Sequence, residues 1–350
     1  MRAPGAQVES PRRRSRLAIY CLGLLIVLLL ASLSIFSYLS SCPLPETAGP
    51  VSVMVEPGMS TREVAKLLEE QGVIRSDLFF RILARMKRAD GLIQSGEYSF
   101  GPGIHIRDVL DSLVEGRVIY YSLTVREGLS VEQIAALVEE KGFGTKEAFL
   151  EAASDRSLAP DYVPAEYLET AKYPLEGYLF PDTYYIRRGM TERDIVLMML
   201  KRMDEVFTEE MREKARAMNL TPHGAATLAS IVEREAQVAW ERPVIAAVYL
   251  NRLRIGMKLD ADPTVLYALG KPPNALVLWK DLEVDSPYNT YKYPGLPPGP
   301  ICNFGKASLE AVLAPEDVDY LYFVAKNDGT HAFARTLAEH NLNRATYQGR

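Results

Sequence analysis

The sequence predicts an α+β chain in three sections: one membrane-crossing helix, two small strand–helix modules, and a larger mixed domain with a cleft. Three observations carry this expectation. Residues 17–39 form a 23-residue run without a charge. Residues 55–72 and 125–142 repeat one another, with eight identities in 18 positions. Beyond residue 176, helical apolar spacing alternates with short strand patterns and a long loop of tyrosine, proline and glycine.

The uncharged run would make a helix about 35 Å long, enough for a hydrocarbon core of roughly 30 Å. Ahead of it stand Arg2, Arg12, Arg13, Arg14 and Arg16 against Glu9, a net +4 over residues 1–16. Positive charge on one flank places that tail in the cytoplasm and the rest of the chain outside. The whole chain carries −5, which leaves −9 beyond residue 16 and argues against nucleic acid as a partner. The run is longer than a signal-peptide core and no A-x-A site follows it closely, so the helix is expected to stay. Leu39-Ser40-Ser41-Cys42 offers an alternative, a lipoprotein-type box in which Cys42 would be lipidated. The three cysteines are odd in number and lack metal spacing. The four histidines form no H-x3-H or H-E-x-x-H pair, so a metal enzyme is not expected.

A Pro-rich spacer, residues 43–50, leads into the repeat. Each copy has an apolar strand end, a glycine turn, and a serine that opens a helix. Ser60 with Glu63, and Ser130 with Gln133, fit capping boxes. Val64, Leu67 and Leu68, and likewise Ile134, Leu137 and Val138, recur at helical spacing. Gly72 and Gly142 suit helix C-termini. Residues 96–100 read as a strand and 107–115 as a second helix. The pattern resembles the LysM-like modules that bind glycan chains; spacing the rest of the chain is an equally good use for it.

The stretch ASIVEREA, residues 229–236, holds two carboxylates in an apolar run. Thr221 is a good N-cap and Pro222 a good first residue for the helix that carries them. At about 100° per residue from Leu228, Val232 falls near 40°, Ile231 near 300° and Ala225 near 60°. Glu235 falls near 340°, within that apolar stripe, and Glu233 near 140°, off it. Glu233 is therefore expected on a wet or salt-bridged face. A carboxylate pointing with the apolar residues must be protonated, paired or set in a cleft. Desolvation would raise its pKa toward the range a general acid needs. A salt bridge to Arg252 or Arg254 is the plainer alternative.

Pro243 begins another helix, 244–257. Asp260 and Asp262 sit at a bend before Pro263. Residues 286–305, SPYNTYKYPGLPPGPICNFG, form a long irregular loop, and loops of that length are more often functional than idle. Aromatic rings stack on sugar faces, and amides and hydroxyls pair with sugar hydroxyls. Residues 320–326 and 330–334 read as a hairpin around Asn327-Asp328-Gly329, with a closing helix over 335–344.

EGYLFPDTY (176–184), ASIVEREA, YLNRLRIGMKLDADPTVLYALG (249–270), the tyrosine loop and YLYFVAKNDGTHAFARTLAEHN (320–341) resemble, in order, the endolytic murein transglycosylases of the YceG-like (MltG) family. The resemblance covers the chain from about residue 51 to its end. It implies a bacterial inner-membrane enzyme, its catalytic domain outside, that cuts MurNAc–GlcNAc bonds within peptidoglycan strands and leaves 1,6-anhydro-MurNAc ends. It implies Glu235 as the catalytic acid and then base, because related enzymes place a glutamate before a small hydroxyl residue on such a helix; here Ala236 follows. Asp262, Thr264, Tyr288, Asn289, Thr290 and Tyr291, with Glu233, are the candidates for positioning the sugars. Asp260-Ala261 and Phe304 depart from the family's usual residues.

The architecture expected is thus α+β: a basic tail at 1–16, a transmembrane helix at 17–39 and a linker at 40–50. LysM-like modules follow at 51–120 and 121–175, then a mixed catalytic domain with a glycan-binding cleft at 176–350. Peptidoglycan strands, the inner membrane and peptidoglycan synthases are the partners implied. The rival classes are a muramidase using Glu235 with Asp260 or Asp262, whose carboxyl separation would follow hydrolase rules, and a non-catalytic glycan-binding module.

Overall fold

The computed structural model describes residues 11–45 and 47–349. The expected basic tail lies outside the described residues as far as residue 10. Helix α1, Pro11–Ser40, runs further in both directions than expected. Its segment Ile19–Ser40, 22 residues with mean hydropathy 2.7 and no buried residue, is long and apolar enough to cross a membrane. A signal sequence meets the same criterion.

The described chain divides into two compact units. The first runs to Tyr120 and takes in Arg187–Gly189. In it β1 (Val51–Val55) pairs antiparallel with β2 (Gly96–Phe100), Val51 opposite Phe100 and Val55 opposite Gly96. Helices α2 (Thr61–Glu70) and α3 (Asp77–Met86) lie between the two strands in sequence, and α4 (Ile106–Glu115) follows them. Ser60 and Glu63 close the capping box foreseen for α2. Alternation along β1 sends Val53 and Val55 inward to meet Val64, Leu68, Phe80 and Tyr98. The second helix of this module is α3, which the repeat does not reveal. It starts at Ser76, whose hydroxyl accepts from the Phe79 N–H. The helix expected at 107–115 is α4, beyond the closing strand.

The second unit comprises Tyr121–Ile186 and residues 190 onward. Strand β3 (Tyr120–Thr124) leads to α5 (Val131–Glu140), α6 (Lys146–Ala153) and α7 (Ala165–Thr170). Strand β4 (Thr183–Arg187) pairs with β3. The helical body follows as α8 (Glu192–Val206), α9 (Glu209–Ala217), α10 (Pro222–Glu235), α11 (Arg242–Arg254), α12 (Asp262–Ala268) and α13 (Lys306–Leu313). The hairpin β5 (Tyr322–Ala325) and β6 (His331–Ala334), then α14 (Leu337–Gln348), close the chain.

The boundary expected at 175/176 is not a break in the core. The second repeat's partner strand, β4, lies beyond it. Leu123, Val131, Ile134 and Phe149 share one buried cluster with Tyr178, Met199, Leu228 and Tyr249. Asn303 is the reason the parts cannot separate cheaply. It is fully buried, its side-chain oxygen accepts from the Leu179 N–H at 2.9 Å, and its amide donates to the Leu129 carbonyl at 3.0 Å. Its backbone also bridges Leu129.

Glu176-Gly177-Tyr178 crosses the middle of this unit. Gly177 has φ +85°, and a Cβ there would stand 2.2 Å from the Pro300 Cβ. Gly177→Ala is expected to cost about 2–4 kcal/mol, from left-handed strain plus overpacking. Urea unfolding checks this; a loss under about 0.5 kcal/mol would mean that the Pro300 loop yields freely.

Candidate active site

The N-terminus of α10 forms as its sequence dictates: the Thr221 hydroxyl accepts from the Gly224 N–H at 2.9 Å, with Pro222 in the first turn. The helix then departs from a one-sided pattern. Every residue from Pro222 to Val232 is buried, because α9, α11, α12 and α13 all pack on it. The wheel foresaw an apolar stripe and a wet face; α10 has no wet face until its last turn.

Of the wet or salt-bridged settings expected for Glu233, the structure shows the salt-bridged one. Its side chain is 7% exposed and fully committed. Oε2 accepts from the Gly305 N–H at 3.0 Å and from the Ser308 hydroxyl at 2.8 Å. Oε1 lies 3.6 Å from the Arg242 guanidinium. Gly305 is the N-cap of α13, so Glu233 supplies the anion that a helix N-terminus favours. The neighbouring Glu127 carboxyl is pushed up by burial and by the charge of Glu233. A Cβ at Gly305 would meet the Glu127 carboxylate, which would have to swing aside.

Glu235 meets different company. It is partly buried, and its Oε1 accepts from the Tyr249 hydroxyl at 2.8 Å. No cation lies within 4.0 Å of it among the described residues. The ion pair considered with Arg252 or Arg254 does not form. Arg252 instead donates to the Leu321 and Leu259 carbonyls and stands 3.7 Å from Asp260. Arg254 turns to Asn251. Desolvation therefore dominates and pushes the Glu235 carboxyl up to about 7. The Tyr249 hydroxyl works against that shift, and the charge of Asp262 adds to it. Such a carboxyl is partly protonated at neutral pH and can give or take a proton.

Asp262 opens α12 beside this pair. It is exposed, and Oδ1 accepts from the Tyr291 hydroxyl at 2.6 Å. Asp260, in the left-handed region at φ +46°, is held by Arg252. Of the two aspartates considered as second carboxylates, Asp262 is the one whose charge acts on Glu235.

The remaining expected residues divide. Tyr288 and Tyr291 are partly buried and reach the surface of this region. Thr264, Asn289 and Thr290 are sealed in, at 0–1% exposure. Asn289 donates to the Leu282 and Val284 carbonyls, both at 2.8 Å, and accepts from the Tyr291 N–H at 3.0 Å. The Thr290 hydroxyl accepts from the Ala261 N–H and lies 3.0 Å from the Thr264 hydroxyl. Direct contact with a ligand, expected of these three, gives way to framing: they lock the tyrosine loop to the start of α12 and so set Tyr291 against Asp262.

Sequence reasoning missed Tyr249. The available signal was a tyrosine in the apolar face of α11, whose buried hydroxyl demands a partner. It is 1% exposed and meets Phe323 edge-on, ring centroids 5.8 Å apart.

The family model of the YceG-like family matches residues 53–346. The chain belongs to the YceG-like family. Within that family, a Bacillus subtilis (strain 168) protein named endolytic murein transglycosylase is 38% identical over 307 residues, covering 85% of this chain and 84% of its own. A Streptococcus pneumoniae (strain D39) protein of the same name is 32% identical over 323 residues. The match covers 85% of this chain but 58% of that relative, so the YceG-like chain spans less than two thirds of it. The crystal structure of a YceG-like protein from Listeria monocytogenes matches with TM-score 0.60 and 35% identity, over 84% of this chain and 98% of its own.

The two neighbours of Glu235 should move its titration in opposite directions. Tyr249→Phe removes a donor to the anion and is expected to raise its pKa; Asp262→Asn removes a nearby negative charge and is expected to lower it. Carbon-13 NMR of labelled glutamate reads both, and shifts of the same sign would refute the arrangement. Stability provides a second check. The folded pKa is raised, so ionising Glu235 costs stability as pH rises from about 4.5 to about 7. Glu235→Gln is thus expected to stabilise the fold by about 1–3 kcal/mol above pH 7 and to change little below pH 4. A destabilised Gln variant at pH 8 would contradict the desolvation argument.

Proposed function

We propose that this chain is a membrane-anchored endolytic lytic transglycosylase of peptidoglycan, with Glu235 as its acid and base. The observation that carries the reading is a partly buried carboxyl, raised to about 7 and held by one tyrosine, in a chain whose relatives bear that activity's name. Protonated Glu235 gives its proton to the glycosidic oxygen as the bond from MurNAc C1 to that oxygen breaks. The GlcNAc leaves with a free hydroxyl. The resulting carboxylate takes the proton from the C6 hydroxyl of the same MurNAc, whose oxygen closes on C1. No water is consumed, and Glu235 ends protonated, as it began.

Asp262, beside Glu235, suits the positive charge that develops at C1, and Tyr291 keeps it in place. Tyr249 positions the acid. Tyr288 and Tyr291 are proposed to meet the sugars. The Ile19–Ser40 segment is proposed as an uncleaved anchor, with the arginine-rich end in the cytoplasm and the remainder outside. The strand–helix–helix–strand module of the first unit is proposed to hold the glycan. Synthases that make the strands are proposed partners, on the family resemblance alone. A muramidase is the second reading, since Asp262 could serve as the partner carboxylate.

The test uses the full chain in detergent with purified peptidoglycan and weighs the products. Anhydro ends are expected from the wild type, and Glu235→Gln should lower the rate by at least about 10²-fold. Because the acid must start protonated, kcat/KM should fall as pH rises through about 7. Reducing ends, heavier by one water, would establish the muramidase. A Glu235→Gln variant with near wild-type activity would exclude Glu235 as the acid.

A further inference from the structure

The last turn of α10 points two adjacent side chains in two directions. Glu235 faces Tyr249, whereas Arg234 lines a neighbouring cavity of about 760 Å³ that Glu235 does not line. Pro263, next to Asp262, lines it as well. The cavity therefore begins one residue from Glu235 on α10 and one residue from Asp262 on α12. Its volume suits a ligand of several residues.

Its walls favour a particular chemistry. Tyr267 and Tyr288 meet inside it with ring centroids 4.9 Å apart. Prolines 263, 272, 273, 287 and 298 contribute much of the remaining surface. Proline has no N–H to offer, and a sugar ring asks for many convergent donors and acceptors. Small apolar side chains on a short branch ask for fewer.

The charges in the cavity balance except at one place. Lys172 is 2.6 Å from Glu132, and Lys271 is 2.6 Å from Asp281. Glu176, 1% exposed, accepts from the Val131 N–H at 3.1 Å and the Asn303 amide at 3.3 Å. Burial pushes its carboxyl up to about 8, so it adds little negative charge at pH 7. Arg234 donates to the Pro273 carbonyl at 3.1 Å, and no carboxylate lies within 4.0 Å of it among the described residues. One guanidinium at the cavity wall thus lacks an anion.

We infer that this cavity is a pocket for a short peptide branch bearing a free carboxylate, which Arg234 binds. The inference rests on the proposed function, because peptidoglycan strands carry such peptides on their muramic acids. A branch on the sugar held at Glu235 would enter the cavity next door. The pocket would make the enzyme select strands that still carry peptides over stripped strands.

The test is equilibrium binding to the full-length Glu235→Gln chain in detergent, which needs no turnover. The probes are the free pentapeptide stem, the same peptide with every carboxylate amidated, and chitotetraose as a peptide-free glycan. The free acid is expected to bind saturably, and at least about tenfold more tightly than the amide. Arg234→Gln should reduce the acid to the affinity of the amide, and Arg234→Lys should restore part of the difference. Equal affinity for acid and amide, or an Arg234→Gln variant that retains the difference, would overturn the inference. So would chitotetraose displacing the peptide, which would mark a sugar subsite. Product analysis on the wild type reads the parent proposal separately. Peptide binding without any cleavage would remove the transglycosylase and leave a peptide pocket. Cleavage without peptide binding would remove the pocket alone.

Discussion

Everything at the candidate site depends on α10 being surrounded. A helix packed on all sides cannot offer its polar residues to water, so each must find a partner inside. Ser230 accepts from the Ile301 N–H and Thr227 donates to the His223 carbonyl. At the last turn the helix runs out of neighbours unevenly. Glu233 finds a helix N-terminus and an arginine, whereas Glu235 finds one phenol. Two carboxylates two residues apart thereby acquire different settings, one tied to a helix N-terminus and an arginine, the other raised by desolvation beside a single phenol.

The tyrosine loop contributes through what it hides. Asn289 replaces missing backbone partners at a turn that has no regular structure, and Thr290 fastens the turn to Ala261. A loop braced by buried hydrogen bonds can hold an exposed group as steadily as a helix can. Tyr291 and Asp262 owe their mutual position to that bracing. The loop thereby fixes Tyr291 on Asp262, whose charge in turn acts on Glu235.

The second repeat illustrates how one motif can be used twice with different consequences. In the first unit the strand–helix–helix–strand arrangement closes on itself through β1 and β2, with its own core. In the second unit the partner strand arrives only after Glu176-Gly177-Tyr178 has passed through the interior. The module is thereby sewn into the helical body, and Asn303 and Glu176 are the stitches. The cavity beside α10 exists because of this fusion, since α5 and the 167–176 segment form one wall and α12 with the tyrosine loop forms the other.

Local sequence by itself determined the ends of many elements. Ser60 with Glu63, Ser130 with Gln133, and Thr221 with Pro222 specify helix starts through bonds that span three residues. The hairpin turn at Asn327–Gly329 follows equally from local backbone preference, with both end residues at positive φ. Helical arithmetic also separated Glu235 from Glu233, and the order of motifs announced the family. Tertiary structure alone decided the rest, because contacts across long stretches of chain leave no periodic trace. The burial of Glu233, the phenol on Glu235, the sealing of Thr264 and Thr290, and the unmatched charge of Arg234 all depend on segments 14 to 75 residues away. A helix wheel assumes one neighbour, whereas α9, α11, α12 and α13 all pack on α10.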